Sequence, residues 1–132
     1  MAVRILLVDD DRAALYALRE VLSDVPASVV LAESGEEALR QVLRHEFKLI
    51  LLDVRLPKMD GFEVAAAIRS LPRMRATPIV FMSAHEDRRQ QPRAEDDYWC
   101  KPLDPDRVRA RALSLLAVPA PDSPQSAARE SL

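Results

Sequence analysis

Apolar residues in this chain come in two rhythms. Short, largely apolar runs occur at Val3–Val8, Val29–Ala32, Leu49–Leu52, Pro78–Met82 and Tyr98–Cys100. Runs of this length, rich in β-branched and other apolar side chains, predict strands, the longer ones buried on both faces. Between them apolar residues recur at helical spacing. Ala14, Leu15, Leu18, Val21, Leu22 and Val25 predict a first helix from about Arg12 to Asp24, stopped by Pro26. Ala38, Leu39, Val42 and Leu43 predict the buried stripe of a second helix. Ser34 stands as its cap and Glu37, three residues on, completes a capping box. Phe62, Ala65, Ile68 and Leu71 predict a third helix after Gly61, ended by Pro72. Val108, Ala112, Leu115 and Leu116 predict a final helix, capped by Asp104 with Pro105 in its first turn. From His85 to Asp97 the chain is strongly polar and is broken by Pro92, so any helix there is short or irregular.

Strand and helix therefore alternate five times. That alternation predicts an α/β fold with a parallel sheet, helices on both faces and right-handed connections. Residues 118–132, rich in Pro, Ala and Ser without apolar period, read as a disordered tail or linker after a domain spanning 1–117.

Composition narrows the class. At 132 residues, 48% apolar and 30% charged, the chain fits one ordinary globular domain. A net charge of -2 gives no general attraction to nucleic acid or to an anionic membrane. Arg107, Arg109 and Arg111 alternate along a helix and read as a solvated face rather than a DNA-binding patch. The single cysteine, Cys100, has no internal disulfide partner and reads as a small buried side chain. Met1 to Val8 is too short and too strand-like for a signal peptide. No run reaches the roughly 20 apolar residues that cross a bilayer, so a cytoplasmic location is expected.

The chemistry sits where the strands end. The first run stops at Asp9-Asp10-Asp11, the third at Asp53, the fourth at Ser83 and the fifth at Lys101. In open α/β sheets ligands bind outside the carboxyl ends of the strands, so these side chains converge on one crevice. Crowded carboxylates repel unless a cation joins them, and hard oxygen donors suit Mg²⁺. A lysine and a hydroxyl opposite can hold the oxygens of a phosphoryl group. A carboxylate such as Asp53 can act as the nucleophile, and phosphoryl transfer then needs mainly positioning and charge neutralisation. Lys101 stands out because only Lys48, Lys58 and Lys101 are lysines among 19 Lys plus Arg. Its place at a strand end points to a need for a compact ammonium on a flexible stem. Taken alone, Asp9 and Asp10 would be solvated loop acids, Asp11 a helix cap, Ser83 an ordinary strand-end hydroxyl and Tyr98 a packing residue.

Val8-Asp9-Asp10-Asp11, Leu52-Asp53 with Pro57 and Asp60-Gly61, Ser83-Ala84 and Lys101-Pro102 together resemble the receiver domain of two-component response regulators, over about residues 1–117. The resemblance implies a flavodoxin-like three-layer sandwich with a five-stranded sheet of order 2-1-3-4-5. It implies phosphorylation of Asp53 by a histidine kinase or phosphotransfer protein, with Mg²⁺ held by Asp9, Asp10, Asp53 and the main-chain carbonyl of Arg55. It gives Ser83 and Lys101 contacts to the phosphoryl group, a cis Lys101–Pro102 bond, and a switch through Ser83 and Tyr98 that alters binding of an unidentified downstream partner. The protein would be a signalling domain rather than an enzyme, monomeric or dimerising on phosphorylation. Arg55 and His85 fall at positions that influence the phosphoryl lifetime. The stretch from Ser83 to Lys101 is about four residues shorter than usual in the family, roughly one helical turn. Glu95 and Asp96 also replace the usual Gly-Ala before Tyr98. Two rivals remain: a pseudo-receiver that binds a partner without phosphorylation, and a haloacid-dehalogenase-like phosphatase using Asp9 within Asp9-x-Asp11.

Overall fold

The computed structural model describes residues 3–83 and 97–117. Its strands are β1 (Arg4–Val8), β2 (Ser28–Ala32), β3 (Leu49–Asp53), β4 (Ile79–Ser83) and β5 (Asp97–Cys100). All pair in parallel, in the order β2-β1-β3-β4-β5. The helices are α1 (Arg12–Val21), α2 (Gly35–Arg44), α3 (Gly61–Arg69) and α4 (Pro105–Ala117), with a 3-10 turn at Pro72–Met74. This is the flavodoxin-like α/β fold expected from the sequence. Of the stretch 85–97 expected to be short or irregular helix, Asp97 opens β5, while residues 84–96, with His85, Glu95 and Asp96, and the tail 118–132 lie outside the described residues.

The two-residue period of the strands sorts their side chains to opposite faces. Leu6, Val8, Ile50, Leu52, Ile79 and Phe81 meet Ala38 and Val42 of α2 and Val64 and Ile68 of α3 on one side. Ile5, Leu7, Leu49, Leu51, Val80 and Met82 meet Leu15 and Leu18 of α1 and Val108 and Ala112 of α4 on the other. β3 and β4 are buried along their whole length, which is why they read as continuous apolar runs. Phe62 is half covered, its ring 4.9 Å from that of Phe81.

The ends of the helices show local chemistry at work. Asp11 caps α1, its carboxylate accepting the N–H groups of Ala13 and Ala14. Asp104 accepts the N–H of Asp106 at 3.0 Å and Pro105 opens α4, as expected. Asp60 and Glu63 form a full capping box on α3.

Four expectations need correction. First, α1 ends at Val21 rather than Asp24, with Leu22 as its C-cap. Leu22 and Val25 are nonetheless buried, so the apolar spacing continued past the helix because it reports burial, not hydrogen bonding. Second, the capping box of α2 is only half made. Ser34 accepts the Glu37 N–H, but the Glu37 carboxylate takes the N–H of Glu33, one residue farther back. Third, Leu43 is 65% exposed: α2 rests on Gly35, Ala38 and Val42, and Leu43 lies one step, about 100°, round from Val42. Fourth, Cys100 is exposed rather than buried, because it closes β5, which pairs only with β4 among the described strands.

Candidate functional site

β1 and β3 are adjacent, with Val8 opposite Leu52 in register, so Asp9 and Asp53 leave the sheet side by side. Asp9 is held there by its N–H, which donates to the Ala32 carbonyl at 3.1 Å. Its side chain is fully buried. Oδ1 accepts the Asp11 N–H at 2.9 Å and Oδ2 accepts Lys101 Nζ at 2.8 Å. Asp53 is 5% exposed. Its Oδ1 accepts the Arg55 N–H at 3.2 Å and its Oδ2 faces Lys101 Nζ at 3.4 Å. Asp10 is exposed, yet it completes a trio: one carboxylate oxygen each of Asp9, Asp10 and Asp53 lie within 4.8 Å of one another.

Lys101 comes from the edge of the sheet. Its N–H donates to the Ser83 carbonyl at 2.6 Å, continuing the β4–β5 pairing by one residue. The Lys101–Pro102 peptide is cis, as the resemblance implied. Ser83 is fully buried at the end of β4. Tyr98 is half buried in β5, opposite Phe81 in register, and packs against the α2–α3 side of the sheet. Arg55 is exposed and contributes its N–H to Asp53. A groove lined by α1 residues Ala14, Leu18 and Val21 and by Leu103 and Val108 opens beside Asp9 and Lys101.

The electrostatics follow from this crowding. Burial first, and the charge of Asp9 second, push the Asp53 carboxyl up to about 6, against the opposing pull of Lys101 and the Arg55 N–H. Burial alone would lower Lys101, but the bond to Asp9 and the charge of Asp53 outweigh it and raise the ammonium above its ordinary value. Lys101 thus supplies positive charge to two buried acids at once. Three carboxylates converging on one point, one of them open to solvent, are a donor set that fits a partly hydrated Mg²⁺.

Asp9, Asp10, Asp53 and Lys101 therefore meet at one end of the sheet, the end at which β4 stops on the buried Ser83. Sequence reading did not find that Asp9 carries the lysine. Nor did it find that the start of α3 is clamped by Asp60 and Glu63. The spacing Asp60-x-x-Glu63 was the signal for that clamp.

Residues 5–113 match the family model described as the response regulator receiver domain. The signal transduction histidine-protein kinase BarA of Shigella flexneri is 32% identical over 112 residues, which is 82% of this chain and 12% of that protein. The chain thus spans about an eighth of the length of that relative. Among solved structures, the chemotaxis response regulator CheY4 of Vibrio cholerae superposes with a TM-score of 0.77 at 26% identity, covering 87% of this chain and 99% of that one. The response regulator protein TrrA of Thermotoga maritima, solved in complex with Mg²⁺ and a beryllium fluoride, gives 0.75 at 30% identity over 86% and 98%.

Proposed function

This chain belongs to the response regulator receiver domain family, and we propose that Asp53 is its phosphoacceptor, with a sensor histidine kinase or phosphotransfer protein as donor and a downstream partner as target. One observation carries the reading: Asp53 stands beside Asp9 and Asp10 with Lys101 across from it. In the proposed reaction Asp53 Oδ attacks phosphorus and the bond from phosphorus to the donor breaks, leaving an acyl phosphate. Lys101, already within reach of both acids, would turn its ammonium to the new phosphoryl oxygens. Ser83 would offer its hydroxyl, and Tyr98, on the neighbouring strand, would follow it inward to change the outer face of β5. Mg²⁺, held by Asp9, Asp10, Asp53 and the Arg55 carbonyl, would neutralise charge on the phosphoryl group as it transfers.

The relatives support a signalling role, since the matched families are kinases that carry this unit and response regulators. The proposed unit spans residues 1–117, in the cytoplasm. Among the described residues no helix is long and apolar enough to cross a membrane. Asp53 is the better nucleophile than Asp9, because its oxygens are held more loosely, at 3.2 and 3.4 Å from their donors against 2.9 and 2.8 Å for Asp9.

The test is intact mass after treatment with Mg²⁺ and a small acyl phosphate. Wild type should gain one phosphoryl group and Asp53→Ala none. Phosphate found on Asp9 would instead indicate phosphatase-like chemistry. A wild-type protein that neither gains mass nor responds to Mg²⁺ would be a pseudo-receiver.

A further inference from the structure

Gly61 opens α3, and no glycine in the described chain has a positive φ. Backbone freedom therefore does not explain a glycine at this position. Space does. A Cβ at Gly61 would lie 2.4 Å from the Asp53 carbonyl oxygen, 2.9 Å from Val54 Cα and 3.0 Å from the Asp53 carbonyl carbon. All three are main-chain atoms of the strand end that carries the site. The Gly61 N–H also donates to the Val54 carbonyl at 2.7 Å, and the Asp60–Glu63 box fixes the turn around it. The start of α3 is thus pressed directly onto the backbone of Asp53.

Gly35 supplies an internal comparison. It also opens a helix behind a capping residue, and a Cβ there would also be crowded, 2.7 Å from Val64 Cγ2 and 3.3 Å from the Met59 sulfur. Those neighbours are side chains, of the buried Val64 in α3 and of Met59, and neither is main chain of a strand end.

We propose that Gly61 is a positioning residue for Asp53: the absence of a side chain sets how deep the end of β3 lies under α3, and so where the carboxylate stands relative to Asp9 and Lys101. The proposal rests on the reading of Asp53 as phosphoacceptor. The Asp53 carboxylate is pinned at 3.2 Å by the Arg55 N–H and faces Lys101 at 3.4 Å. Ordinary contact begins at about 3.5 Å, so a methyl group at Gly61 displaces the Asp53 carbonyl by about 1 Å. A misplacement of that size can cost on the order of 100-fold in a reaction governed by positioning.

The experiment compares Gly61→Ala with Gly35→Ala in the full chain. Three quantities are read: the urea midpoint, the Mg²⁺ dissociation constant by calorimetry, and the rate of phosphoryl incorporation from a small acyl phosphate. Both variants should lose stability. Only Gly61→Ala should slow incorporation, by about 10- to 100-fold, and weaken Mg²⁺. Gly35→Ala should stay within about twofold of wild type in both. Equal behaviour of the two variants at equal stability would overturn the proposal. If wild type takes up no phosphoryl group, the phosphoacceptor reading fails, and the ratio of Mg²⁺ affinities still decides whether Gly61 positions the acid. If Gly61→Ala does not fold, wild type labelled with ¹⁵N-glycine gives two backbone resonances, because the chain has 2 glycines. Added Mg²⁺ should then shift Gly61 and leave Gly35 in place; equal shifts, or none, would count against the idea.

Discussion

Lys101 Nζ lies 2.8 Å from Asp9 Oδ2, joining residues 92 positions apart. The acid is fully buried and the lysine side chain is 26% exposed, so this pair is screened far less than a surface ion pair. Because Lys101 also reaches Asp53, the ammonium holds two like charges together at the mouth of the sheet. Removing it leaves Asp9 and Asp53 facing each other with one main-chain N–H apiece and no cation between them. Lys101→Met should therefore destabilise the metal-free protein by about 3 kcal/mol. Mg²⁺ should recover much of that loss, since a cation at the acids replaces the missing charge. Urea unfolding with and without Mg²⁺ checks both parts. A variant as stable as wild type in chelator would mean the pair contributes nothing net.

Asp53 gives the site a pH dependence. Its folded-state value, about 6, lies above the ordinary carboxylate value. A raised value means the native state holds the proton more tightly than the unfolded chain does. Stability is then full below about pH 4 and falls as pH rises through about 6. Asp53→Asn, which cannot ionise, escapes that fall. In chelator it should match wild type near pH 4 and exceed it at pH 8 by about 1–2 kcal/mol, once solvent screening is allowed for. Unfolding curves at pH 4, 6 and 8 test this, and a constant difference across the range would exclude Asp53 as the source.

At the opposite end of the sheet, Arg69 organises the connection from α3 to β4. Its Nη1 donates to the carbonyls of Met74, Arg75 and Thr77, at 3.4, 2.9 and 2.7 Å. Arg69→Met keeps the length of the stem but removes the donor. The cost should be about 1–3 kcal/mol. Because the bonds lie away from Asp53, the Mg²⁺ dissociation constant should not change. A shift in both stability and Mg²⁺ affinity would show that this connection is coupled to the site.

What could be read from the sequence follows from which forces are local. β3 was legible because a strand buried on both faces must be apolar throughout, and Asp53 interrupts that run where the strand leaves the core. The sorting of β1, β3 and β4 side chains to two faces needs only the period of a strand. Leu43 was misread because spacing reports a helix face but not how much of that face the neighbours cover. Cys100 was misread because its burial was inferred from residue type, whereas its exposure follows from its place at the end of an edge strand. Convergence of Asp9, Asp53 and Lys101 was legible from their strand-end places. The bond between Asp9 and Lys101 was not, since nothing local relates residues so far apart. The close approach of Gly61 to Asp53 was equally hidden, because it depends on the path of the Val54–Asp60 loop, including a left-handed bend at Lys58 with φ of 72°.

The two neighbouring acids of the β1 end should separate by experiment. Asp9 is fully buried, accepts the Asp11 N–H and anchors Lys101. Asp10 is exposed and brings an oxygen to the same point. Asp10→Asn removes a solvated charge from a crowded group of carboxylates, so stability should hold or rise slightly, as repulsion is relieved. Its Mg²⁺ affinity should fall by about tenfold or more, because a hard cation loses an anionic oxygen ligand. Asp9→Asn should differ in both respects. The amide can still accept the Asp11 N–H, but it cannot return the charge of Lys101, so the fold should lose about 2–4 kcal/mol in chelator. Calorimetric titration with Mg²⁺ and urea unfolding of the same two variants resolve the question. If Asp10→Asn proves the more destabilising change, the assignment of Asp9 as anchor for the lysine is wrong.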